Sequence, residues 1–423
     1  MKRFGANTWR CAAITMMSGI AITGGAGTAM AQTLSAEGST FGGFQREVDV
    51  GVAVDAIYSG NTTRGRSETA TARGLVQSDF LLNPKIEGNV RLPVGPVQLA
   101  VSGDIGYQLY ARNTQLNRER ISLTANAGTA IGPCGLMLNG NYSRAQTDQR
   151  DLAIVPGDTE ASSVNVNENR GIGVVATCGA AVGIRAVGLA SYATSENNSV
   201  RRQISNANTF TYGGGLQYSA PAVGQVTTFV SKTEVEFPDR IDLGIPGFGA
   251  DRFDLFAAGV RLDRRLGARL QFNGQVSYAE VTVEGLTDSQ YDGIIWDAAL
   301  SLRATPKLNF SVGTGKTVGP AGGFSANFVE TSTVRFGTTY ALTERLLMRL
   351  NANYQQRDFD LQTVTAPDRL SNDEFGEIGL GFNFNQSLRL LFRAYVGYEK
   401  RNAELDIYDY DAFSASLGVR LRL

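Results

Sequence analysis

Apolar and polar residues alternate by twos over long stretches of this chain. In segment 48–58, Val48, Val50, Val52, Val54, Ala56 and Tyr58 share one face, with Asp49, Gly51, Ala53 and Asp55 on the other. Segment 97–111 repeats the scheme, with Val97, Leu99, Val101, Ile105, Tyr107 and Leu109 against Gln98, Ser102, Asp104 and Gln108. Leu270, Phe272, Val276 and Tyr278 oppose Arg269, Gln271, Asn273 and Gln275 in the same way. So do Leu346, Met348, Leu350 and Tyr354 against Arg349, Asn351, Asn353 and Gln355. The final segment sets Phe413, Ala415, Leu417, Val419, Leu421 and Leu423 against Ser414, Ser416, Arg420 and Arg422. A period of two sustained over some ten residues marks strands with one apolar and one polar face. No sustained helical period competes with it after residue 31.

The connections alternate in length. Short turns fall near 93–96, 132–133, 179–180, 221–224, 263–267, 305–307, 343–344 and 386–387. Longer polar loops fall near 59–74, 112–119, 146–168, 195–207, 238–251, 284–291, 315–327, 358–373 and 400–409. Together they join about eighteen strands, with sixteen as the alternative. An even count returns both ends of the barrel segment to the short-turn side. Strands of about 10 to 14 residues suit the ~9–11 tilted residues that cross a bilayer, and exceed the ~5–6 of soluble sheets. A soluble sandwich or propeller also alternates, but closure into a barrel removes the edges of so many long strands. The fold expected is all-β: a transmembrane antiparallel up-and-down barrel over residues 47–423. Tyr58, Tyr107, Tyr142, Tyr192, Tyr212, Tyr218, Phe237, Tyr354, Phe384 and Tyr398, near strand ends, fit interfacial girdles.

The amino terminus reads as a cleaved secretory signal, residues 1–31. Lys2, Arg3 and Arg10 precede a weakly apolar stretch to Ala26, and Thr28-Ala29-Met30-Ala31 supplies small residues for a cut. Gly24-Gly25 and three hydroxyl residues interrupt that stretch, which argues against a membrane anchor. A short periplasmic segment, 32–46, would follow. The barrel would then lie in the bacterial outer membrane after export through the periplasm.

Composition narrows the chemistry. The 423 residues include 49 glycines and no histidine, and 39 basic residues nearly balance 40 acidic ones. Near-neutral charge excludes a concentrated phosphate-binding surface, so no nucleic-acid partner is expected. Without histidine there is no Ser-His-Asp or Cys-His site and no His-ligated metal. No cofactor is expected, nor an enzyme; a two-carboxylate glycosidase survives only formally.

The signal, the repeated hairpins and the closing Leu417-Gly418-Val419-Arg420-Leu421-Arg422-Leu423 resemble the porin-type β-barrel proteins of Gram-negative outer membranes. The last strand is similar to that recognised by the barrel-assembly machinery, although it ends in Leu423 where the usual pattern has an aromatic. The resemblance implies fold and compartment, with outer-membrane lipid, lipopolysaccharide and the assembly machinery as partners. Further copies of the chain, or periplasmic export components, are also possible partners.

Within that frame Cys134 and Cys178 each sit at the end of a short turn, on consecutive turns of the periplasmic side. An oxidising compartment makes them a disulfide candidate; two buried thiols are the alternative. Gly313-Thr314-Gly315-Lys316-Thr317 imitates the end of a phosphate-binding loop, but Phe310 stands where its first glycine belongs, and the stretch reads as strand entering a loop. Glu404, Asp406, Asp409 and Asp411 could bind a divalent cation but lack calcium-loop spacing; a solvated loop is the simpler reading. Arg64, Arg66, Arg118, Arg120, Arg201 and Arg202 could meet lipopolysaccharide phosphates.

The polar faces would line the pore, with Lys85, Glu87, Arg91, Asp104, Arg269, Asp297, Arg303, Arg349, Asn351, Asn353, Arg389, Arg393 and Arg420 as candidates. Loop 146–168, with Asp148, Asp151, Asp158 and Glu160, is the first candidate for a constriction, and equally for an exposed surface loop. The expected function is passive diffusion of small hydrophilic solutes. The competing reading is a conduit for exopolysaccharide export, which a neutral hydrogen-bonding lumen would also suit.

Overall fold

The computed structural model describes residues 46–154, 157–243, 252–283, 290–320, 326–361 and 370–423. The expected leader and nearly all of the expected periplasmic segment lie outside these residues, as do parts of five of the longer loops.

Eighteen strands form one sheet. The first nine are β1 Glu47–Ser59, β2 Asp79–Val94, β3 Val97–Tyr110, β4 Arg118–Ile131, β5 Cys134–Gln146, β6 Val166–Gly179, β7 Gly183–Asn197, β8 Ala207–Ala220 and β9 Gly224–Glu236. The others are β10 Arg252–Leu266, β11 Leu270–Val283, β12 Gln290–Thr305, β13 Leu308–Pro320, β14 Ala326–Ala341, β15 Leu346–Leu361, β16 Asn372–Asn385, β17 Leu390–Ala403 and β18 Tyr410–Arg422. Each pairs antiparallel with its chain neighbours, and β18 returns to β1 with Gly51 opposite Arg422 and Ser59 opposite Ser414. The barrel is closed, so no outermost strand remains to invite pairing with another chain.

The alternation read in the sequence becomes inside and outside. Val52, Ile86, Ile105, Leu138, Ile172, Leu216, Val276, Ile294, Val334, Ile378 and Leu417 project outward and are exposed. Their strand neighbours Asp49, Ala53, Asn83 and Gln217 point inward and are buried. Of the expected girdle residues, Tyr107, Tyr192, Tyr212, Tyr218, Tyr354, Phe384 and Tyr398 are exposed on the outer face. Phe237 is a correction: it is buried beyond the end of β9, in an apolar cluster within the mouth at the long-loop end.

Short turns close one end of the barrel. At Gly132, φ is +58°, a backbone state that side-chain-bearing residues avoid, and it allows β4 to return as β5 through two residues. Cys134 and Cys178 lie directly opposite each other on β5 and β6 and form a disulfide, with Cα atoms 4.0 Å apart. The strands run 13 to 16 residues, longer than the sequence suggested. Gly313–Thr317 is strand throughout, and β13 continues to Pro320. Two short helices, α1 Ser67–Ala72 and α2 Thr159–Ser163, lie in the loops after β1 and β5.

Above the outer girdle the faces exchange character. Lys232, Glu234, Arg252 and Asp254 make ion pairs on the outside of β9 and β10. Val235, Phe253, Leu255, Val281 and Val283 form an apolar cluster on the inside. There the outer face meets water while the inner face meets other protein, so the hydrophobic effect reverses the pattern that lipid imposes lower down.

Candidate functional site

The inner wall combines a polar lumen with a packed outer mouth. Ser301, Arg303, Asn309, Ser311 and Asn351 face inward and are exposed, so solvent reaches this wall. Asp297 on β12 pairs with Arg335 on β14 at 2.5 Å. Arg269 and Arg303 share the short-turn end of the same wall with Arg265 and Asn309. Arg349 is partly buried inside β15, and its Nε makes no hydrogen bond. Asn353 lies one inward position farther along β15 from Asn351.

A second group of predicted residues converges at the closing seam. Lys85 contacts Asp55 at 2.9 Å and Glu87 at 3.6 Å. Glu87 accepts from Arg393 Nη1 at 3.1 Å and lies 2.5 Å from Arg420 Nε. Asp49 accepts from Arg420 at 3.0 Å and lies 3.0 Å from Arg422. This network crosses β17, β18, β1 and β2 on the lumen side. Arg91 pairs with Glu47 at 3.7 Å at its short-turn end. Asp104 stands opposite Glu87 on β3. Arg389 differs: it lies in the exposed β16–β17 turn, on the short-turn rim rather than the barrel wall. It belongs to the turn because Leu390 and Arg389 N–H groups both donate to Ser387 Oγ.

The loop after β5 folds inward as a strap. Its backbone from Arg150 to Ala153 is held by three arginines from elsewhere. Arg401 Nη1 donates to the Arg150 carbonyl at 2.9 Å, Arg73 Nη2 to that of Leu152 at 2.6 Å, and Arg202 to that of Ala153. Arg357 donates to Asp151 at 3.2 Å and forks onto Asp373 at 2.8 and 2.6 Å. Arg401 also pairs with Asp373, and both side chains are fully buried. The Tyr408 hydroxyl accepts from the Ile154 N–H at 3.2 Å. Ala153 and Ile154 pack against a core of Ala326, Phe359, Leu370 and Tyr408. The strap thus joins β5 and β6 to β15, β16 and β17 on the far wall.

The acidic residues of this loop divide. Asp148 and Asp151 sit where the strap meets the other loops, whereas Asp158 pairs with Arg201 at 3.0 Å and Glu160 is exposed on α2. Removal from water favours a neutral Asp148, but Arg64, Arg150 and Arg73 outweigh it and hold its carboxyl below the usual aspartate range. Burial lowers Arg73 to about 10 and also lowers Arg202. For Arg150 burial is outweighed by Asp151 and Asp148, which raise it.

The sequence reading offered several of the basic loop residues to lipopolysaccharide, but most have partners within the chain. Arg64 engages Glu399 and Asp148, Arg66 engages Asp406 and Asp409, and Arg202 holds the strap. Arg66 also takes up part of the 404–411 acidic cluster; no group of side chains suited to a metal occurs among the described residues. The structure shows Tyr395 lying across Gly379 and Gly397, and Phe375 beneath the Arg150 guanidinium. Their signal was available: both stand out of phase with the outward residues of β16 and β17.

Residues 256–423 match the family described as "Putative beta-barrel porin 2". That part of the chain is porin-like. Solved barrels are similar to the chain in outline. OccK2 (OpdF) of Pseudomonas aeruginosa has 11% identity and a TM-score of 0.47, covering 90% of this chain and 99% of its own. OccAB3 of Acinetobacter baumannii has 12% identity and a TM-score of 0.45, covering 89% and 99% respectively. A BenF-like porin from Pseudomonas fluorescens Pf-5 has 12% identity and a TM-score of 0.45, covering 90% and 100%. No curated protein matches the chain.

Proposed function

We propose that this porin-type barrel passes small hydrophilic solutes by diffusion, with the strap as its filter. The carrying observation is a closed eighteen-stranded wall, apolar outside, whose inner face exposes Ser301, Arg303, Asn309 and Asn351 to water. A barrel of this size is too wide for side chains alone to fill. Charges of both signs line the passage, so selection rests on size and local field more than on net charge. Export through the periplasm after loss of residues 1–31, and insertion guided by Leu417–Leu423, complete the reading. Nothing among the described residues favours a glycan-export conduit.

Planar-bilayer recordings and liposome swelling with sugars and amino acids of graded size test it. Discrete conductance steps and a size cutoff are expected. Silence from the intact barrel and from a variant lacking 148–154 would reject the channel.

A further inference from the structure

The barrel wall parts at its extracellular end between β12 and β13. β12 begins at Gln290 and β13 runs to Pro320, yet their pairing stops where Trp296 faces Lys316. Continued in register, Ile294 would meet Val318 and Gly293 would meet Gly319. The sequence resists that continuation: facing glycines bring no side-chain packing, and Pro320 has no N–H to donate. β13 stays paired with β14 instead, out to Pro320 opposite Phe328.

The outer end of this hairpin turns inward. Val318 has the strand parity of Val312, which is 49% exposed on the lipid side, but Val318 is only 4% exposed. It packs with Val281, Val283 and Phe253 from the inner wall, and Phe328 joins the same cluster. Lys316 reaches over the Tyr291 ring at 5.5 Å and pairs with Glu330 at 2.5 Å. Outside, the parting rises from Trp296 past exposed Ile294, whose partner on β11 is Tyr278. It therefore opens at the height of the outer aromatic belt.

We propose that this parting is a lateral port to an apolar binding site for a single-tailed anionic amphiphile from the outer leaflet. The tail takes the place of Val318 and Phe328 against Val281 and Tyr291, and the head group replaces Glu330 on Lys316. Three independent features support that occupant: a gap in strand pairing at interfacial height, an apolar cluster on the inner wall directly behind it, and the Lys316 cation at the gap. An acyl chain that displaces the two side chains restores the burial they lose, so exchange need not expose the wall. The proposal stands on the wall geometry and does not require the axial channel.

Trp296 supplies the readout, since Trp9 is the other tryptophan of the chain. In a Trp9→Phe full-length protein held in lipid nanodiscs, stearate carrying a doxyl quencher near its chain end should quench Trp296 saturably. Unlabelled oleate should reverse the quenching. Val281→Asp should abolish saturation. Lys316→Met, which leaves the wall intact, should keep tail binding but erase an about tenfold preference for the acid over the matching alcohol. Linear quenching in the parent overturns the proposal, as does saturable quenching unchanged in both variants. Single-channel conductance, measured on the same samples, reports separately on the axial reading.

Discussion

The Arg150 guanidinium lies 4.3 Å from the centre of the Phe375 ring, joining the strap to β16. Asp151 and Asp373 share Arg357 beside it, so this contact is one face of a clasp. Asp373→Ala would leave Arg357 and Arg401 in the clasp without their shared carboxylate. Loss of one partner of a buried pair costs about 3–5 kcal/mol, which moves a closed–open balance by about a hundredfold or more. The variant should spend much more time in its high-conductance state in planar bilayers; an unchanged open fraction would remove the clasp from gating.

Acid should loosen the same strap. The Asp148 carboxyl is held below its usual range by Arg64, Arg150 and Arg73. Its stabilising contribution is present above the ordinary aspartate pKa of about 4 and is lost as pH falls through the lower folded value. Conductance should therefore rise when pH is brought below about 4. Asp148→Asn should show a smaller rise, starting from a looser strap at neutral pH.

Glu87 binds together strands from the two ends of the barrel. Glu87→Ala leaves Arg393 and Arg420 facing each other with less counter-charge across the β1–β18 closure. A loss of about 3 kcal/mol is expected, read as a lower urea midpoint for the detergent-solubilised barrel. Glu87→Gln should lose less, because it still accepts a hydrogen bond.

Leu138 and Asn141 distinguish the two faces of one strand. Leu138→Arg places a charge on the lipid side of β5 and should cost about 2–4 kcal/mol if it lies near the bilayer midplane. Asn141→Arg, on the exposed inner face, should leave the unfolding midpoint nearly unchanged while altering ion selectivity. Equal losses would contradict the assignment of inside and outside.

The Cys134–Cys178 bridge closes a segment with a sequence separation of 44. Replacing both cysteines by serine should lower stability by about 2–4 kcal/mol in the chain-entropy view. Denatured, unreduced barrel freed of residues 1–31 should show no reactive thiol.

Much of this architecture was legible because lipid imposes a simple rule on each strand. Val48 to Tyr58 and Phe413 to Leu423 declare their outward faces without help from the rest of the chain. That rule fails above the membrane, where Glu280 and Thr282 face outward and Val281 and Val283 inward. Periodicity still marks the strand there, but it no longer says which face is inside. Phe237 was misplaced for the same reason. The clasp was hidden differently: Asp151 meets Arg357 across 206 positions and Ile154 meets Tyr408 across 254. No local pattern encodes such meetings. The cysteine pair was readable because short turns already placed its members at one end of adjacent strands.

Arg401, Arg73 and Arg202 grip the strap by its carbonyl oxygens, which every amino acid carries. These three bonds are therefore indifferent to which side chains the strap carries, unlike the Asp151–Arg357 pair and the packing of Ala153 and Ile154 beside them. Substitutions at Glu160, exposed on α2 in the same loop, could alter what the mouth admits while Arg150 to Ala153 keep their seat. The design separates evolvability from anchorage: the filter is free to change its vocabulary because the barrel holds it by its grammar.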